Sequence, residues 1–237
     1  MNEVALPGAR VFFSTRRGGV SEGPYESLNL GILTDDDPER VTENRRRLAT
    51  SAELDAGSVA MGWQVHGVNL REWDGPPDRG GFAEPGAELA RVDGHLTGAP
   101  GVGLMVLVAD CYPVALAGGG RAAMLHCGWR GLAGGILERA IERFGGERPA
   151  AAVGPGIGGC CYEVGDEVLD AFSELGGVAD GRMLDLRAVI SRKLELAGVE
   201  RVEHIDHCTS CREDLYFSHR RDDGLTGRQA GLVALDD

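Results

Sequence analysis

Positive charge is scarce in this 237-residue chain. Its 24 lysines and arginines face 37 aspartates and glutamates, a formal net charge of −13 with histidines neutral. Such a field repels polyanions, which argues against a nucleic-acid binder but leaves room for a local basic pocket holding one small anion. Long hydrophobic runs are also missing. The longest, Val102–Ala109, falls far short of the ~20 residues a membrane-spanning helix needs, so no membrane partner is expected. The opening MNEVALPGARVFFST has no basic start followed by ~7–15 apolar residues, so no export signal is read and a cytoplasmic location is expected. In that reducing setting the six cysteines are expected as thiols, and the adjacent Cys160 and Cys161 are poorly placed to bridge each other. Repeats at a fixed period and low-complexity tracts are absent too.

What is present is a globular composition, 43% apolar and 26% charged, long enough to bury a substantial core without disulfides. Strands are predicted at residues 10–15, Val59–Gln64, Val102–Val108, Ala150–Val153, Arg201–Ile205 and Gly231–Leu235. Val114–Leu116 and Arg121–Leu125 read as a hairpin around a GGG turn. Helices are predicted from Pro38 to about Leu54, Leu132 to Phe144, Val164 to Leu175 and Leu186 to Ala197, the last capped by Asp185. The loop-like Gly75–Gly86 reads as an excursion within one domain spanning 1–237. Because strands and helices mix without steady βαβ alternation, the fold class is α+β.

Three metal-capable side chains sit just after predicted strands: His66 in QVHG, Cys111 in ADCYP and His126 in HCGWRG. Two imidazoles and a thiolate make a three-ligand zinc set with a fourth position open. Cys111 could instead be a nucleophile with His126 as its base, and the two readings compete, because a metal-bound thiolate is a poor attacker. Cys127 reads as packing. Cys208-Thr209-Ser210-Cys211 is a single Cys-x-x-Cys, weak as a metal site because structural zinc draws on two such pairs; it reads as a thiol-containing turn lining a pocket. Arg16, Arg130, Arg220 and Arg221 lie in glycine-rich surroundings suited to carboxylate or phosphate recognition. The glycine run Gly154–Gly159 lacks the strand–helix context of a dinucleotide site.

The ordered segments STRRGGVSEGPYESLNLG, QVHG, VDG, ADCYPVAL, HCGWRGL, GPGIGGCCYEVG, CTSCREDLYFSHRRD and TGRQAG together resemble the YfiH family. That family was long labelled multicopper polyphenol oxidase or laccase and is now regarded as purine nucleoside phosphorylases. The match runs from about Ser14 to Leu232. Cys127, Gly156, Gly159 and His219 stand where the family commonly has Ala, Ala, Pro and Tyr. The resemblance implies an α/β/β/α layered sandwich of mixed sheets, similar to the cytotoxic-necrotizing-factor deamidase fold. It implies zinc on His66, Cys111 and His126, which would be the catalytic centre. The implied activity is phosphorolysis of adenosine, inosine and methylthioadenosine, with adenosine deamination also attributed to the family. Arg16, Asn29, Arg130, Arg220 and Arg221 are then the residues expected to contact phosphate or nucleoside, and the protein is expected as a monomer or small homo-oligomer.

Three other functions compete. A copper-dependent polyphenol oxidase needs several copper centres, for which six histidines without an H-x-H pair are too few, although a His/Cys site would take up stray Cu²⁺. A non-catalytic, zinc-stabilised binding module and a Cys111–His126 hydrolase are the others. The H-x-E and P-C-x-x-C signature of zinc nucleobase deaminases is absent, so deamination would use a different site.

Overall fold

The computed structural model describes residues 1–78 and 89–236, so part of the Gly75–Gly86 segment lies outside the described residues. In chain order the elements begin with β1 (Asn2–Leu6), β2 (Ala9–Phe13), α1 (Pro38–Ser51), β3 (Val59–Ala60), β4 (Leu70–Trp73), β5 (Gly94–Thr97) and β6 (Gly103–Val108). The central hairpin β7 (Tyr112–Gly118) and β8 (Arg121–Cys127) follows, then α2 (Trp129–Ala133), α3 (Ile136–Glu142) and β9 (Ala150–Val153). The chain closes with α4 (Asp166–Asp170), the short β10 (Ala179–Asp180) and β11 (Met183–Leu184), α5 (Leu186–Leu196), β12 (Val202–His204) and β13 (Gln229–Leu235).

Two mixed sheets result, ordered β1-β2-β13-β6-β3 and β12-β9-β7-β8-β5-β4. They pack face to face. Small residues of the second sheet (Ala115, Ala117, Ala122, Ala152) meet Val11, Phe13, Leu104, Val106 and Val233 of the first. The outer face of the first sheet is covered by α1, where Leu48 and Ala49 contact Phe12, Met105 and Leu232. The outer face of the second is covered by α2, α3 and α5 through Leu132, Ile136, Leu137, Val189, Ile190 and Leu194. The layering is therefore α/β/β/α within an α+β fold.

Several elements depart from the sequence expectation for local reasons. The helix expected over Leu132–Phe144 is two, because Gly134-Gly135 interrupts it and Gly135 takes a φ of +87°. The strand expected over Val59–Gln64 is regular only at Val59–Ala60; beyond it Trp63 makes an isolated parallel bridge with Arg91 before the chain turns toward His66. The helix expected over Val164–Leu175 is regular only at Asp166–Asp170. The two helices expected from Pro38 to about Leu54 and from Leu186 to Ala197 form, ending at Ser51 and Leu196, and Asp185 caps the second by accepting from the Arg187 and Ala188 amides at 2.9 and 3.1 Å. Cys127 is fully buried against the α2/α3 layer, a packing residue. Among the described residues, no helix is long and apolar enough to cross a membrane.

Candidate active site

The β7–β8 hairpin sets the site. Cys111 immediately precedes β7, and His126 sits near the end of β8, directly opposite Pro113. These two strand ends therefore bring residues 15 apart in sequence onto one edge. His66 arrives separately, on the loop after β3. One side-chain donor from each of His66, Cys111 and His126 lies within 4.8 Å of the others, and the two imidazoles meet edge to face at 4.7 Å.

Asp93 organises the cluster. Its carboxylate is wholly buried and accepts the backbone N–H of Val65, His66 and Gly67 at 3.1, 2.8 and 2.7 Å. It also meets His126 Nδ1 at 2.8 Å. One carboxylate thus pins the loop that carries His66 and fixes His126 so that Nε2 faces Cys111. A carboxylate behind the imidazole is the usual support of a metal-binding histidine. Asp93 stands in the VDG segment, and sequence reasoning gave it no role; its place just before a strand was the only signal. Burial alone would raise its pKa, but the His126 and backbone hydrogen bonds outweigh this and hold it below the usual carboxylate value.

Cys111 and His126 perturb each other. Burial opposes a charged thiolate, yet the neighbouring His126 and His66 pull the Cys111 pKa down to about 6. Burial likewise opposes a charged imidazole, but Cys111 and Asp93 push His126 up to about 9. A thiolate–imidazolium pair is thus the natural metal-free state. The backbone around these groups is strained: His66 and Asp110 are non-glycine residues at φ +59° and +90°. There is no room behind them either, since a Cβ on Gly128 would come within 2.9 Å of Cys111 Sγ and 3.1 Å of His66. The donor set, its supporting carboxylate and the lowered thiol pKa all fit a divalent metal held by His66, Cys111 and His126.

The cluster opens into a cavity of about 490 Å³. Arg45, Arg130, Arg220 and Arg228 line it, with Tyr162, Gln64 and the half-exposed Trp63. Arg130 lies over the Trp129 ring at 4.3 Å, Arg220 donates to the Glu163 carbonyl, and Arg228 donates to the Thr226 and Gly227 carbonyls. Among the described residues, none of these three forms an ion pair with a carboxylate. Asp110 reaches the same wall, but its oxygens are taken by Thr209 Oγ1–H and the Arg220 backbone N–H, both at 2.7 Å.

Of the expected anion contacts, Arg130 and Arg220 line the cavity; Arg16, Asn29 and Arg221 do not. Arg16 donates to the Glu26 and Glu213 carbonyls and stacks on Phe217 at 4.6 Å. Asn29 is fully buried and all its polar capacity is used, by Gly31, Arg228, Thr34 and Asp36. Arg221 pairs with Asp222 and donates to the Thr209 and Tyr216 carbonyls. These three fasten loops to one another, and glycine-rich surroundings alone did not separate such fasteners from the arginines that line the cavity. Arg228, in TGRQAG, and Arg45, in the middle of α1, are cavity residues that sequence reasoning did not single out. Arg45 donates Nε–H to the Leu30 carbonyl, and burial lowers its pKa to about 10.

Residues 10–236 match the family model described as multi-copper polyphenol oxidoreductase laccase. The chain belongs to this family. The Escherichia coli relative, named purine nucleoside phosphorylase YfiH, is 36% identical over 96% of this chain and 94% of its own. The Deinococcus radiodurans relative, named purine nucleoside phosphorylase, is 40% identical over 98% of this chain and 90% of its own. The crystal structure of YlmD from Geobacillus stearothermophilus superposes with a TM-score of 0.88 at 34% identity, covering 97% of this chain and 93% of that one. The α+β fold and the YfiH-family membership expected from the sequence both hold.

Proposed function

We propose that this protein is a purine nucleoside phosphorylase whose centre is the His66/Cys111/His126 cluster and whose phosphate is held by Arg130, Arg220 and Arg228. The observation that carries this reading is the meeting, in one cavity, of a three-donor metal-capable set and the guanidinium groups of Arg130, Arg220 and Arg228, which among the described residues form no ion pair with a carboxylate. In a chain of net charge −13, such a concentration of cations suits a small dianion.

In phosphorolysis a phosphate oxygen bonds to the anomeric carbon while the carbon–nitrogen bond breaks. The electron pair leaves on the purine, which gains a proton, and the sugar passes through a state of oxocarbenium character. The guanidiniums fix the phosphate beside that carbon and cancel its charge. Trp63 and the exposed Leu33, both on the cavity wall, offer apolar surface against which a purine can stack and exclude water. Asp93 holds His126 in one orientation, and Tyr162 offers a hydroxyl beside Arg220. A zinc ion on His66, Cys111 and His126 would supply Lewis acidity at its open position.

Adenosine, inosine and methylthioadenosine are the proposed substrates, and adenosine deamination would share the same cavity. A multicopper oxidase is disfavoured by ligand supply. Among the described residues one cluster contains histidine, and His95 is spent in the core, where Nδ1 accepts from Trp73 Nε1–H at 3.2 Å. The test is to incubate metal-quantified protein with adenosine, with and without phosphate, beside Cys111→Ala. Phosphate-dependent adenine and ribose 1-phosphate, lost in the variant, is the expected result. Inosine alone makes the protein chiefly a deaminase. No product from any of the three nucleosides with zinc-loaded protein overturns the reading in favour of a binding module.

A further inference from the structure

Four of the six cysteines belong neither to the cavity cluster nor to the hydrophobic core. Cys160 and Cys161 lie in a turn within the loop between β9 and α4, and Cys208 and Cys211 belong to the turn that follows β12. The fold brings these two segments together. Gly156 pairs with Cys208 in a parallel bridge, and the Thr209 N–H donates to the Gly156 carbonyl at 3.0 Å. All four Sγ atoms then lie within 4.8 Å of one another. Cys160 to Cys161 is 3.7 Å, Cys160 to Cys211 is 3.6 Å, and Cys161 to Cys211 is 3.4 Å.

Those separations are informative. A disulfide needs sulfurs about 2.05 Å apart, so none of these contacts is one. Four thiolates at about 2.3 Å from a common ion form a tetrahedron whose edges are about 3.8 Å, close to the separations found here. A hydrophobic origin is excluded by exposure, since Cys160 and Cys211 are at the surface. One sulfur already has the support a metal-bound thiolate uses: the Gly158 N–H points at Cys208 Sγ at 3.2 Å. The pairing that a lone Cys-x-x-Cys lacks in the sequence is thus supplied by the vicinal Cys160-Cys161.

We propose that Cys160, Cys161, Cys208 and Cys211 form a second, closed zinc site that clips the Cys160–Cys161 turn to the Cys208–Cys211 turn. Binding exchanges up to four thiol protons for one Zn²⁺, with no oxidation and no open position for substrate. The clip acts next to the active cavity. Tyr162, adjacent to Cys161, lines that cavity, and Thr209, between the two later cysteines, donates to Asp110. Arg221 donates to the Thr209 and Ser210 carbonyls, and Arg220 beside it donates its backbone N–H to Asp110. A metal that joins the two turns therefore fixes Tyr162 and Arg220 without touching substrate.

The site stands independently of the phosphorylase reading, because its readout is metal content and sulfur coordination rather than turnover. Protein purified without chelator or added metal is analysed for zinc and iron, together with Cys208→Ser/Cys211→Ser and His66→Ala/Cys111→Ala. Two zinc ions per wild-type chain and one in each double variant are expected. X-ray absorption of the zinc left in His66→Ala/Cys111→Ala should show an all-sulfur shell at about 2.3 Å. If either variant fails to fold, the wild type alone decides: two sites give an average of about 2.5 sulfurs per zinc, and the mixed site alone gives about one. One zinc per chain with four freely titrating thiols overturns the proposal. So does a disulfide among the four cysteines, or iron in place of zinc.

Discussion

Two clusters of metal-capable side chains form in this fold, and they are built in opposite ways. The His66/Cys111/His126 set has three donors, sits at the floor of a cavity and leaves one side facing that cavity. The Cys160/Cys161/Cys208/Cys211 set has four, all sulfur, at the junction of two turns. The first is anchored by strand ends and a buried carboxylate. The second is carried wholly by loops. An incomplete donor set on rigid elements is suited to chemistry, whereas a complete set on loops is suited to holding those loops in place.

The largest effect is expected at the open cluster. Cys111→Ala should lower phosphorolysis by roughly 10³-fold or more, since it removes a metal donor and the group that charges His126. The closed cluster should keep its metal in this variant. Retained activity with one zinc lost would break the comparison. Next comes Asp93→Asn. An amide cannot accept from three backbone N–H groups and from His126 at once, so its NH₂ must face a donor. Metal affinity at the open cluster should fall about 10–100-fold. Stability should fall by about 1–3 kcal/mol from the unsatisfied buried groups, read by metal titration and thermal unfolding. Metal affinity unchanged in Asp93→Asn would mean that the carboxylate serves only the loop.

Arginine substitutions sharpen the contrast between ligand and fastener. Arg220→Ala should raise KM for phosphate about 10–100-fold, the worth of one charge-assisted contact of about 1.5–3 kcal/mol. Arg16→Ala should lower Tm through its lost carbonyl contacts and leave KM for phosphate within about threefold. Equal phosphate KM effects would place Arg16 at the anion after all. Smaller still is the effect of Cys208→Ser/Cys211→Ser. Its kcat should stay within about threefold, while its Tm falls and becomes less sensitive to chelator than that of the wild type.

How much of this was legible in the sequence follows from which interactions are local. The helices Pro38–Ser51 and Leu186–Leu196 carry their own caps and stripes, so they were readable. The β7–β8 hairpin was readable because its turn is glycine. The three candidate metal donors stood out because each was expected just after a strand and has few non-chemical uses. Asp93, Arg45 and Arg228 did not, because an Asp or Arg is ordinary until a distant loop folds onto it. Arg16, Asn29 and Arg221, expected at the anion, lie off the cavity lining instead: each has a partner 12 to 199 residues away, the Glu213 carbonyl, the Arg228 N–H and the Thr209 carbonyl, which no local pattern reveals. The four-cysteine cluster was hidden for the same reason, since the Cys-x-x-Cys has its partner pair about 50 residues upstream.

The most direct contrast between the two thiol environments is expected in metal-free protein. Cys111 then faces His126 and His66, which hold its pKa down at about 6 despite burial. Cys160 faces other thiols instead: partial desolvation and its contacts with Cys211, Cys161 and Cys208 push its pKa up. The reactive species is the thiolate, present above the pKa and lost as pH falls through it. Alkylation of Cys111 should therefore hold nearly constant from pH 8 down to about 7, fall to about half near pH 6 and decline steeply below that. Alkylation of Cys160 should keep climbing with pH across the same range, so the ratio of the two is greatest near the acid end. Peptide mass spectrometry after timed iodoacetamide treatment reads both sites in one sample. Parallel pH profiles would mean that His126 does not charge the Cys111 thiol, and the chemical distinction between the two clusters would then rest on donor number alone.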